Sequence, residues 1–300
     1  MGEVFRGSEA LRDAALTEHQ LRRWYRPIFR DVYVPRLSRP SLEDRITGAW
    51  LWSRQRAVVA GVAAAALHGA AYVDEDVPIE LIGRSARPHR GLVVRDETLD
   101  ADEVIQVRRL PVTTVARTAF DLGRHLPRGV AVAHLDALMR AAPFSVDAVH
   151  ALVRRHKGAR GVRKSTAVLA LVDGGAMSPR ETWLRLLLLD AGLPKPATQL
   201  PLLRGRGLVA IFDLGWEDYK VAAEYDGDYH RIDRRRFVKD INKLGIAEDE
   251  GWIVIRVVSE HRPRDIVSRV YRGLARRGWR PDRRQRAALS HFLSLSSISA

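Results

Sequence analysis

The 300-residue chain has no cysteine. That excludes disulfides, thiol catalysis, and zinc or iron–sulfur centres held by thiolates. Long apolar runs are also missing: the most apolar stretch, Val58 to Leu67, is about half the length a bilayer-spanning helix needs. Met1 to Arg6 carry no apolar signal core, so the expectation is a soluble, cytoplasmic protein without membrane attachment. Negative charge is scarce relative to positive, with 36 Asp+Glu against 50 Lys+Arg and a formal charge of +14. Such a surplus favours a polyanionic partner, with nucleic acid the first choice and an acidic surface the second.

What is present suffices for real cores. At 46% hydrophobic and 29% charged residues, the chain is long enough for two ordinary domains. Asp173-Gly174-Gly175 is the expected boundary, giving an α+β region over 1–174, an α/β domain over 175–280 and a basic, then Ser-rich, tail over 281–300 whose end is mobile.

In the first region Thr17-Glu18-His19-Gln20 has capping-box spacing and predicts a helix, followed by an edge-type strand at Phe29 to Pro35. Residues 8–36 therefore resemble a small winged-helix unit. Leu42 to Tyr72 reads as helical, with His68 a helix-end histidine. Residues 78–110 suggest a small sheet, and helices are expected from Thr113 and over about 129–141, 145–155 and 162–171.

In the second half Ser178-Pro179-Arg180-Glu181 opens a helix with capping-box spacing and proline at its first position. Glu181 thus has a structural role, reaching back to the backbone of Ser178, beside a catalytic one. A strand at Thr198 to Leu203 follows, then the stretch from Leu208 to His230. Its first strand, Leu208 to Leu214, is apolar except for Asp213. A turn through Gly215 to Asp218 leads into Tyr219 to Asp226, where Glu224 and Asp226 share a face. A symmetric turn between Glu217 and Asp218 sets Asp213 opposite Ala222, on the same face as Glu224 and roughly 7–8 Å from it. Carboxylates gathered this way suit a hard divalent cation with oxygen ligands.

Asp233 to Glu248 predicts a helix bearing Arg234, Arg235, Arg236, Lys239 and Lys243, read either as a solvated face or as phosphate contacts. Trp252 to Val258 predicts a buried strand, and Pro263 to Arg277 a closing helix. The order helix, three strands, helix, strand, helix implies an α/β sheet covered on both sides.

That order, with Asp213 on the second strand and Glu224-x-Asp226 on the third, resembles the restriction endonuclease-like PD-(D/E)xK fold, an αβββαβ core. The run Val221 to His230, then Asp240-x-x-Lys243 and Gly251-Trp252, is similar to relatives of very short patch repair endonuclease. Tyr33-Val34-Pro35, Leu67-His68-Gly69 and Thr113-Thr114 to Asp121-Leu122 resemble the winged-helix antitoxin of type IV abortive-infection systems. The first resemblance implies hydrolysis of DNA phosphodiesters with Mg2+ or Mn2+, held by Asp213 and Glu224 with Asp226 as a further ligand. His230 would protonate the leaving oxygen or orient water. The family's lysine two residues after the glutamate is Asp226 here, and Lys220, Lys239 or Lys243 are its possible replacements. The alternative is a DNA-binding, antitoxin-like regulator whose nuclease-like half is degenerate.

Overall fold

The structure is a computed structural model that describes residues 4–84, 89–205, 207–226 and 243–295. The chain is mixed α/β and divides into two compact units, 1–174 and 175–300.

The first unit begins with β1 (Phe5–Arg6), α1 (Gly7–Arg12), α2 (Glu18–Trp24), β2 (Tyr25–Phe29) and β3 (Val32–Pro35). The capping box forms where its spacing predicts: Thr17 Oγ1 accepts the Gln20 N–H at 3.2 Å, and the Gln20 side-chain oxygen accepts the Thr17 N–H at 2.8 Å. The three strands pair antiparallel in the order β1-β3-β2.

The continuous helix expected over Leu42 to Tyr72 is broken. α3 (Leu42–Trp52) stops where Arg54 and Gln55 take φ of 58° and 63°. The β-branched Val58 and Val59 then form a strand, β4 (Val58–Ala60), ahead of α4 (Gly61–Leu67). Sheet pairing outweighs the helix preference of the flanking alanines. Gly61 makes the junction at φ +59°, and a Cβ there would lie 2.4 Å from Glu80 Oε1, so glycine is required. His68 ends α4, its Nε2 2.8 Å from the Thr113 carbonyl oxygen.

β4 joins β5 (Ile79–Ile82), β6 (Leu92–Arg95), β7 (Val104–Val107) and β8 (Leu110–Thr113) in the order β6-β5-β4-β8-β7. Four helices follow: α5 (Val115–His125), α6 (Arg128–Ala141), α7 (Val146–Arg155) and α8 (Val162–Leu169). Arg117 of α5 is fully buried and donates to Glu103 and, at 3.0 Å, to Asp121. Arg124, about two turns further along the same face of α5, donates to Glu97 and, at 2.8 Å, to Asp121. Charges stay inside here because each meets an opposite partner.

The second unit runs α9 (Pro179–Asp190), β9 (Ala197–Arg204), β10 (Gly207–Trp216), β11 (Val221–Tyr225), α10 (243–249 among the described residues), β12 (Ile253–Val257), α11 (Pro263–Arg276) and α12 (Arg283–Leu295). The sheet order is β12-β11-β10-β9, antiparallel except for the parallel pair β11–β12. Up to α11 this is the element order the sequence predicts. Adjacent residues of β11 enter different apolar clusters: Ala223 packs with Leu184, Leu188, Ile266 and Val270, and Ala222 with Leu202, Phe212 and Ala247. Both faces of this strand are therefore covered.

The tail's expected mobile end, 296–300, lies outside the described residues, and the part before it is helical. Residues 283–295 form α12, opened by a reciprocal pair in which Asp282 Oδ1 accepts the Gln285 N–H at 2.8 Å and the Gln285 side chain accepts the Asp282 N–H at 2.9 Å. Leu289 is buried in the second unit's core, with Phe292 and Leu293 against it. Their i, i+3, i+4 spacing makes an apolar stripe, and this stripe outweighs the arginines that mark the segment as solvated.

Candidate functional site

Asp213 interrupts an otherwise apolar β10 where its ladder with β11 ends. The paired residues are Leu214 with Ala223, Gly215 with Ala222 and Trp216 with Val221. Carried one step further, this register sets Asp213 opposite Glu224, not opposite Ala222 as a symmetric turn predicts. The connection is longer than a two-residue turn: Glu217–Tyr219 wind into a 3-10 turn and Lys220 takes φ 48°. The register thus slips by two residues, which preserves the side-chain face that a slip of one would have lost. Backbone pairing stops there because the Asp213 carboxylate accepts the Tyr225 N–H itself, at 2.8 Å.

Asp213 and Glu224 line a common cavity of about 120 Å³ with Tyr225, Asp226, Lys243, Leu244 and Arg256. Burial raises the Glu224 carboxyl above its ordinary value. Lys243 opposes this, and the negative charge of Asp213 adds to it. Lys243, on the first described turn of α10, donates to Glu224 Oε1 and, at 2.8 Å, to the Ile211 carbonyl oxygen. Its ammonium lies 5.2 Å from the centre of the Phe212 ring. Of the lysines proposed to replace the family's usual one, Lys243 reaches the acids. Lys220 instead donates to the Glu250 carbonyl oxygen at 2.8 Å.

Asp226 is drawn elsewhere. Its carboxylate accepts from Arg256, which β12 places beside Glu224 in the parallel register. Among the described residues Asp213, Glu224 and Asp226 do not bring three ligand atoms within 4.8 Å of one another. All three acids of the expected metal set line the cavity, and Asp226 there is paired with Arg256. Groups that do meet that separation, Glu97 with Asp121 and His125, and Asp100 with Asp102 and Glu103, belong to the first unit and are tied to Arg117, Arg124 and Arg155.

Glu181 is buried at the start of α9. Ser178 Oγ accepts its N–H at 3.2 Å, as the capping spacing predicts. The Glu181 carboxylate reaches Met177 N at 2.8 Å rather than Ser178, and there it also accepts from Gln199 Nε2 at 3.1 Å. Gln199 carries no motif and escapes sequence reading. It lies between Thr198 and Leu200, which pair with Leu214 and Phe212, so it stands opposite Asp213, at φ 50°. Arg180 and Trp183 bring α9 against Tyr225, at 5.8 Å and 6.2 Å from its ring. His230, Arg234, Arg235, Arg236 and Lys239 lie outside the described residues.

The donor set consists of carboxylate and carbonyl oxygens, which suits magnesium or manganese and not a soft metal. A protein cation already uses it, since the Lys243 ammonium sits on Glu224 and Ile211 O as a small hard ion would.

No family model matches the chain, and no solved structure matches it. The chain is similar to two uncharacterized proteins of Mycobacterium tuberculosis, MT2308 of strain CDC 1551 / Oshkosh and Rv2248 of strain ATCC 25618 / H37Rv. Each is 28% identical over 242 residues, covering 79% of this chain and 88% of the relative.

Proposed function

We propose that the second unit is a metal-dependent DNA endonuclease of the restriction endonuclease-like class, related to the very short patch repair enzymes and served by magnesium or manganese. The observation that carries this reading is the meeting of Asp213, Glu224 and Lys243 at one cavity in the α9 to β12 framework.

Asp213 and Glu224 are the residues that would hold the ion. When bound, it offsets charge on the phosphate oxygens and acidifies a water. Tyr225 N–H donates to one Asp213 oxygen and so orients the carboxylate. Lys243 restores the positive charge that Asp226 removes from the usual lysine position, near where negative charge develops on the phosphate. Arg256 holds Asp226 aside and contributes a second positive group on the cavity wall. The overall charge of +14 favours approach of a polyanion.

A second reading, a DNA-binding and antitoxin-like regulator with a degenerate site, is favoured by two observations. Glu224 and Asp226 are already neutralised by Lys243 and Arg256, and the first unit opens with two helices and a β2–β3 hairpin in winged-helix order. Nicking of supercoiled plasmid with Mg2+ or Mn2+ separates the two readings. The endonuclease nicks, and Asp213→Ala does not. Under the regulator reading the clean protein is inert and binds no metal in calorimetry, Asp213→Ala keeps or improves DNA affinity, and removing the charges of Arg234, Arg235 and Arg236 weakens binding and flattens its salt dependence.

A further inference from the structure

We propose that Lys243 gates metal entry: its ammonium is the resident cation of the site, and a divalent ion binds Glu224 only by displacing it. This rests on the reading of Asp213 and Glu224 as metal ligands.

The argument begins with desolvation. Glu224 and Lys243 are both mostly buried, with 15% and 18% of their side chains exposed. A buried carboxylate needs a compensating cation, and here the chain supplies one from α10. Lys243 is held at three points: Glu224 Oε1, the Ile211 carbonyl oxygen at 2.8 Å, and the Phe212 ring at 5.2 Å. These are oxygen donors and a π face, and all three attract a cation. Glu224 has a second oxygen, but a dication there would stand a few ångströms from the ammonium, between side chains that are mostly buried, where repulsion is screened less than in bulk water. Ammonium and metal therefore exclude each other on Glu224.

The side chain has somewhere to go. Lysine is a flexible, strongly hydrated point charge on a four-carbon stem, so a rotamer change can take it off the carboxylate. A DNA phosphate arriving at the site gives it a new anion. In this scheme one lysine balances Glu224 in the metal-free site and becomes the phosphate-facing cation once the metal is in place. Lys243 is thus a positioning residue for metal binding before it touches substrate.

Manganese binding to the intact chain without DNA, followed by calorimetry or water-proton relaxation, tests the proposal without relying on cleavage. Lys243→Met, which keeps the stem and removes the charge, is expected to bind Mn2+ about tenfold more tightly than wild type, within the range by which groups contacting a metal ligand tune affinity. Lys243→Arg retains a cation, is expected to stay close to wild type, and shows whether the position tolerates substitution if the Met variant misfolds. Equal or weaker Mn2+ binding by Lys243→Met, tighter binding by Lys243→Arg, or no Mn2+ binding by either wild type or Lys243→Met overturns the proposal. Tighter binding by Lys243→Met supports the gate even if the wild type leaves DNA intact, which would be a failure of the endonuclease reading alone.

Discussion

Lys243 of α10 donates to Glu224 of β11, and the same ammonium donates at 2.8 Å to Ile211 of β10. One side chain from the helix therefore joins the two strands that carry the acids. It also brings a positive charge to the site even though the residue two after Glu224 is an aspartate.

Gln199 links Glu181 to the strand opposite Asp213, and it does so in a left-handed backbone conformation. Gln199→Ala removes a donor from a buried carboxylate while keeping the strained φ, so it should cost about 1–3 kcal/mol. Gln199→Gly loses the same donor but relieves the strain, and should be more stable than the Ala variant by about 1–2 kcal/mol. Urea unfolding of the two variants checks the order.

Glu97 contributes to acid stability in the first unit. Burial alone would raise its carboxyl, but the neighbouring His125, whose Nε2 lies 3.2 Å from the carboxylate, and the Arg124 charge outweigh burial and lower it to about 2 from an ordinary 4.5. A depressed folded-state value stabilises the fold above the ordinary value and is lost as pH falls from 4.5 towards 2. Glu97→Gln should be less stable than wild type at pH 6, and the gap should close as pH drops through that window. Thermal melts across pH measure this.

Leu289 anchors α12 in the second unit's core and is 5% exposed. Leu289→Ala should cost about 2–5 kcal/mol, whereas a tail that merely trails in solvent would tolerate the change. Chemical denaturation of the two proteins decides.

Local rules made much of this legible in advance. Capping chemistry marked α2 and α9, a near-continuous apolar run marked β12, and a lone acid in an apolar strand marked Asp213. Several of the misses share a physical cause, because they depend on contacts distant in sequence. β4 hid inside an alanine-rich stretch because its partners β5 and β8 come later in the chain. The β10–β11 register depended on Lys220 adopting φ 48°, which its residue type does not signal. Asp226 directly follows β11, and Arg256, 30 positions away, decides what its carboxylate meets. Gln199 gains significance only from standing opposite Asp213 and touching Glu181. Helix α12 was obscured by its arginines, although its apolar stripe was in the sequence.

The central claim is that Asp213 and Glu224 form a metal-dependent phosphodiesterase centre. Its most direct test is the rate at which purified wild type, Asp213→Asn and Glu224→Gln nick supercoiled plasmid with Mg2+ or Mn2+, with folding matched by circular dichroism. The expected result is metal-dependent nicking by the wild type, abolished by chelator and reduced at least about 100-fold in each variant. Nicking that persists in both variants, or a folded wild type inert with either metal, would contradict it.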